Sequence, residues 1–126
     1  DMVVNLGDVK NGDFEAVESE IAALKNAVGN NILKVIVETC YLTENEKIRL
    51  CQCVTNAKAD YIKTSTGFGT AGATLADIQL FQEHIGPDVK VKAAGGIRTQ
   101  EDLEAFYAAG CDRLGCSAAV KVLCSK

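Results

Sequence analysis

Residues 89–103 read VKVKAAGGIRTQEDL, and they spell out one complete strand-to-helix unit. Val89 to Ala93 is a short β-favouring run. Gly95 and Gly96 then break it and permit a tight turn. Thr99, followed three residues later by Asp102, has the spacing of a capping box, in which a hydroxyl and an acid satisfy the first free N–H groups of a helix. The same order recurs along the chain. Strands are expected at 1–5 (DMVVN), 32–38 (ILKVIVE), 59–64 (ADYIKT), 89–93 (VKVKA) and 111–115 (CDRLG). Between the first two, Phe14, Val17, Ile21, Leu24 and Val28 repeat at helical spacing, with Gly29 as the stop. Thr43 with Glu46 and Thr74 with Asp77 mark two more helix starts.

Strand starts at 1, 32, 59, 89 and 111 are 31, 27, 30 and 22 residues apart. That is the pitch of a (β/α)₈ barrel, in which about 250 residues form eight units. The fold class expected is therefore α/β, a TIM-barrel type with about five βα units present over 1–126, corresponding to strands 4 to 8. A doubly wound open sheet is the rival, but no G-x-G-x-x-G follows the first strand. Five parallel strands leave two edges unpaired, so the reading expects a longer chain, or pairing with the missing N-terminal portion or another copy.

The 126 residues are 48% apolar, with one proline and a net charge of −4. This composition suits one globular domain and argues against a broad nucleic-acid surface, while a small anion needs only a local cluster of donors. No apolar run approaches the roughly 18 residues of a membrane span, and the opening residues lack the pattern of a signal peptide; a cytoplasmic protein is expected. The six cysteines then read as reduced thiols. A zinc site from Cys40, Cys51 and Cys53 is the sharper alternative, but Cys-x-Cys without a CxxC partner or a nearby histidine does not favour it. His84 lies on an amphipathic helix and reads as solvated.

Barrel enzymes carry their reactive groups at the C-terminal ends of strands. Lys63 and Lys92 both stand there, 29 residues apart, on strands expected to be neighbours about 4.8 Å apart. Two ammonium groups so placed repel each other and are partly desolvated, so at least one should lose its proton more readily and supply a free amine. A free amine attacks a carbonyl to form an imine, whose protonated form accepts the electrons of a breaking C–C bond. The plain alternative for either lysine alone is a solvated or ion-paired side chain. Lys34, nearer its strand's start, is a third candidate as a neighbour that tunes charge. The loops Ala93–Thr99 and Gly115-Cys116-Ser117 each lead into a helix, the arrangement with which barrels hold phosphate; a tight turn is the plain alternative for the glycine pair.

The segments YIKTSTGFG, VKAAGGIRT and DRLGCS, with LKVIVET and the opening DMVVN, closely resemble the deoxyribose-phosphate aldolase family in its later portion. The resemblance implies a class I aldolase needing neither metal nor cofactor, which reversibly cleaves 2-deoxy-D-ribose 5-phosphate into acetaldehyde and D-glyceraldehyde 3-phosphate. It implies Lys63 as the Schiff-base lysine, Lys92 as the lysine that lowers its pKa, and Asp1 as the acid that relays protons. Gly67, Gly95, Gly96, Gly115 and Ser117 would line the phosphate pocket, joined by Arg98 and the backbone N–H of Ile97. Two residues depart from the pattern: Asp1 carries a charged amino group of its own, and Ala118 stands where relatives often have a second hydroxyl. A phosphate-binding barrel enzyme without iminium chemistry, and an inactive piece that pairs with another chain, are the other readings.

Overall fold

A computed structural model describes residues 1–124. The elements are β1 (Met2–Val3), α1 (Leu6–Lys10), α2 (Phe14–Val28), β2 (Lys34–Ile36), a 3₁₀ turn (Thr39–Tyr41) and α3 (Glu44–Asn56). They continue with β3 (Tyr61–Lys63), α4 (Leu75–His84), β4 (Lys90–Ala94), α5 (Gln100–Ala108), β5 (Arg113–Gly115) and α6 (Ala119–Cys124). The five strands form one parallel sheet in the order β1-β2-β3-β4-β5. Every strand lies beside its sequence neighbour, with no reversal of the kind that marks a doubly wound sheet. The chain is a partial (β/α) barrel.

All five expected strands are present, each trimmed by a residue or more, apart from the fourth, which runs one residue further at its C-terminal end. Alternation along the strands then sorts the side chains. Val35, Ile62, Val91 and Ala93 face the helices and are fully buried against Ile21, Leu50, Val54, Ile78 and Phe81. The opposite face carries the row Val3–Ile36–Lys63–Lys92–Arg113, each residue the register partner of the next. A closed barrel turns this second face inward. Three cations in one row are costly there unless the site uses them.

The structure corrects two helical details. Leu24 was expected in the buried stripe of α2 but is 37% exposed; Val17 and Ile21 supply its buried face. Thr74 accepts from the Asp77 N–H, but the reciprocal bond is missing, because the Asp77 carboxylate takes the Lys47 ammonium at 2.7 Å instead. A charged donor outcompetes a neutral one. Thr43–Glu46 and Thr99–Asp102 do form full capping boxes. Helix α1 and the 3₁₀ turn escaped the sequence reading, since five and three residues are too few to show a period. Among the described residues, no helix is long and apolar enough to cross a membrane.

Candidate active site

Parallel register sets Lys63 and Lys92 side by side, as Cα partners on β3 and β4. Asp1 approaches from the far side of Lys63. Its carboxylate accepts from the Lys63 ammonium at 2.9 Å and from that of Lys34 at 3.3 Å. One carboxylate thus serves two of the four cations gathered on this face, while Arg113 lies 4.9 Å over the ring of Tyr61. Lys92 is left with like charges as its neighbours. Desolvation is the first cause that holds its pKa below the ordinary lysine value, followed by the charges of Lys63, Lys34 and Arg113. Lys92 is therefore biased toward the free amine.

The ends of β3 and β4 are stitched together by Thr64, whose buried hydroxyl donates to the Ala94 carbonyl at 3.1 Å and accepts from its N–H at 3.0 Å. Beyond it, Gly95 and Gly96 adopt φ of +82° and +74°, where a side chain is strained. The segment at Gly72 lies directly on Gly95: a Cβ on Gly72 would collide with the Gly95 carbonyl. Ala73 N–H seals the contact by donating to the carbonyls of Ala94 and Gly95 at 3.1 and 3.0 Å. Two glycines are required to bring those backbones together.

A cavity of about 360 Å³ opens between these loops. Lys63 and Lys92 line its sheet side, and Gly67, Gly95, Gly96, Ile97, Arg98, Gly115 and Ser117 complete the wall expected from the sequence. Asp1 is tied to it by its ion pair with Lys63, and Lys34 through its own pair with Asp1. Thr66 and Ala94 also line it and were not read from the sequence. A further residue that sequence reasoning missed is Glu38, buried behind Thr66 and hydrogen-bonded to it. Its only signal was an acid at the end of an apolar strand, in ILKVIVE. The Arg98 N–H is spoken for, since it donates to the Asp102 carboxylate at 3.1 Å. Such a cavity, with amines on one wall and glycine loops on the other, suits an aldehyde that carries an anion at its far end.

The cysteines stand apart from this chemistry. Cys51 and Cys53 point into the core, where burial pushes their thiols up to about 12 and about 11. Among the described residues, no three acidic, histidine or cysteine side chains gather closely enough to hold a metal. The ring of His84 contacts the Leu80 carbonyl at 2.9 Å at the end of α4.

No family model matches the chain. Curated relatives do. A deoxyribose-phosphate aldolase of Clostridium botulinum (strain Eklund 17B / Type B) is 67% identical over 123 residues, which is 98% of this chain and 56% of the relative. Another, of Clostridioides difficile (strain 630), is 54% identical over 123 residues, with the same coverage. The chain spans about half the length of the curated relatives it matches. Among solved structures, an aldolase described as QR15 superposes with a TM-score of 0.90 at 38% identity, over 95% of this chain and 54% of its own. The deoxyribose phosphate aldolase of Aeropyrum pernix, described as a tetramer, gives 0.81 at 34% identity, over 89% and 49%.

Proposed function

Because the chain matches deoxyribose-phosphate aldolases over nearly all of its length and corresponds to their later portion, we propose that it carries the Schiff-base machinery of such an enzyme. The observation that carries the reading is the register of Lys63 with Lys92, beside one carboxylate and two glycine loops in a single cavity. The substrate is 2-deoxy-D-ribose 5-phosphate, with its phosphate against the loops of Gly95–Gly96 and Gly115–Ser117.

The neutral amine of Lys63 adds to the C1 aldehyde of the open-chain sugar, and loss of water leaves an imine. Once protonated, the iminium draws in the C2–C3 bonding pair while the C3 hydroxyl gives its proton to a base. D-glyceraldehyde 3-phosphate departs, leaving the enamine of acetaldehyde. Protonation of that enamine and hydrolysis release acetaldehyde and restore the amine. Asp1, bridging Lys63 and Lys34, is placed to accept and return protons. Lys92 has a part in the first step. Its readily lost proton leaves a neutral amine that can accept a proton from the Lys63 nitrogen once that nitrogen has added to the carbonyl.

The enzyme works in the cytoplasm on this small phosphorylated sugar, without nucleic acid or membrane. Strands β1 and β5 each pair on one side only, which suits closure against further strands of a longer chain or another copy. The test is direct cleavage. A protein containing this sequence should release acetaldehyde and D-glyceraldehyde 3-phosphate from 2-deoxy-D-ribose 5-phosphate, and Lys63→Arg should lose that activity, because a guanidinium stays protonated. Undiminished cleavage by Lys63→Arg would reject the role given to this residue.

A further inference from the structure

The carboxylate of Glu38 is one of few charged groups removed from water, with the residue only 5% exposed. Its backbone adopts φ 57°, ψ 67°, a left-handed conformation that a residue with a side chain rarely keeps unless its surroundings impose it. That turn, placed just after β2, throws the side chain across to the loop following β3. There the carboxylate accepts the Thr66 hydroxyl at 2.6 Å and the Thr66 N–H at 3.2 and 3.4 Å. Thr66 passes the constraint on, its hydroxyl accepting from the Phe68 N–H at 3.1 Å. The fit around the carboxylate is tight: a Cβ on Gly69 would stand 2.8 Å from the Cys40 sulfur and 3.1 Å from Glu38 Oε1.

Thr66 and Gly67 line the same cavity as the two lysines. We infer that Glu38 is a positioning residue, which never meets substrate but holds the Thr66–Gly67 wall at the distance the anionic end of a phosphorylated aldehyde requires. The inference rests on the aldolase reading for the identity of that ligand. It does not rest on it for the clamp. A carboxylate near a phosphate site would by its charge alone weaken anion binding. Because it holds both the N–H and the hydroxyl of Thr66, its contribution is instead geometric, and displacement of a wall by about an ångström is enough to damage a site of this kind.

The experiment compares the unsubstituted chain with Glu38→Gln, which keeps the shape but replaces one of the two acceptor oxygens facing Thr66 with an NH2 donor. Three quantities are read: amide hydrogen exchange at Thr66 and Phe68, affinity for D-glyceraldehyde 3-phosphate, and borohydride trapping of unphosphorylated acetaldehyde. Glu38→Gln should speed exchange at both amides about tenfold and weaken the phosphorylated probe several-fold, with trapping changed by less than about twofold. Tighter binding of the probe would mean that the charge of Glu38 dominates, and would overturn the inference. So would faster exchange with unchanged affinity, or equal losses for both aldehydes. Should Glu38→Gln fold poorly, Thr66→Val and Thr66→Ser make the same comparison from the other end of the bond; only serine should restore affinity. A chain that neither binds the probe nor traps acetaldehyde, yet shows the faster exchange, would sink the aldolase reading and leave the clamp standing; unchanged exchange would sink the clamp alone.

Discussion

Lys92 is the residue at which the electrostatics of the site are most exposed to measurement. Burial and three neighbouring cations hold its pKa below the usual lysine value, so the folded protein releases this proton before the unfolded chain does. Between the depressed folded value and about 10.4, the unfolded state binds more protons, and stability attributable to Lys92 rises with pH. Below that window, the charged Lys92 is a burden on the fold. Lys92→Met removes the charge at similar volume and should therefore be more stable than the parent at neutral pH, with the advantage shrinking through the alkaline range. Denaturant titration at both pH values checks this; an advantage that grows with pH would reverse the sign. The thiols give a second residue-scale prediction. Cys51, at about 12, and Cys53 and Cys111, both at about 11, have almost no thiolate at mildly alkaline pH, whereas Cys124 is exposed. An alkylating reagent should label Cys124 in the folded protein and reach those three only on unfolding, as peptide mapping by mass spectrometry will record.

At the scale of elements, the helix starts are the features most open to a reader of the sequence, because capping chemistry is local. Thr43 and Glu46 satisfy each other's N–H groups within four residues, and nothing distant is needed to see it. Thr43→Ala should cost about 1 kcal/mol in urea unfolding and Thr43→Ser almost nothing. Equal stabilities for the two variants would show the cap to be idle. Thr74 has the same spacing but lost its reciprocal bond to a lysine 30 positions before the acid, Lys47, which local spacing cannot reveal. Leu24 fell out of its stripe for a related reason: periodicity marks a face of α2, but how far the neighbouring helix covers that face is a matter of packing. The glycine turn after β4 was legible as a turn. Its depth was not, since the need for Gly95 comes from the approach of Gly72 from another loop. Gly95→Ala meets both a φ of +82° and the Gly72 Cα at 3.0 Å, and should lower phosphate affinity along with stability.

Across the whole molecule, the regular pitch of strands made the architecture readable, because parallel neighbours joined by helices permit few topologies. The same pitch puts Lys63 opposite Lys92. What it could not convey was the company those lysines keep. The Asp1 bridge spans 62 positions and the Glu38–Thr66 link 28, and neither leaves a periodic trace. The core that supports these contacts depends on helix side chains such as Phe81, which is fully buried. Phe81→Ala should cost about 3–5 kcal/mol. The central claim, however, is chemical: of two adjacent amines, Lys63 is the one we propose to form the imine. Incubation of a protein containing this sequence with acetaldehyde and a mild borohydride, followed by peptide mapping, decides between them. The account predicts a stable secondary amine on Lys63, lost in Lys63→Arg and formed more slowly at neutral pH in Lys92→Leu, where the neighbouring amine that takes a proton from the attacking nitrogen is gone. A label on Lys92, or one that survives Lys63→Arg, would contradict it.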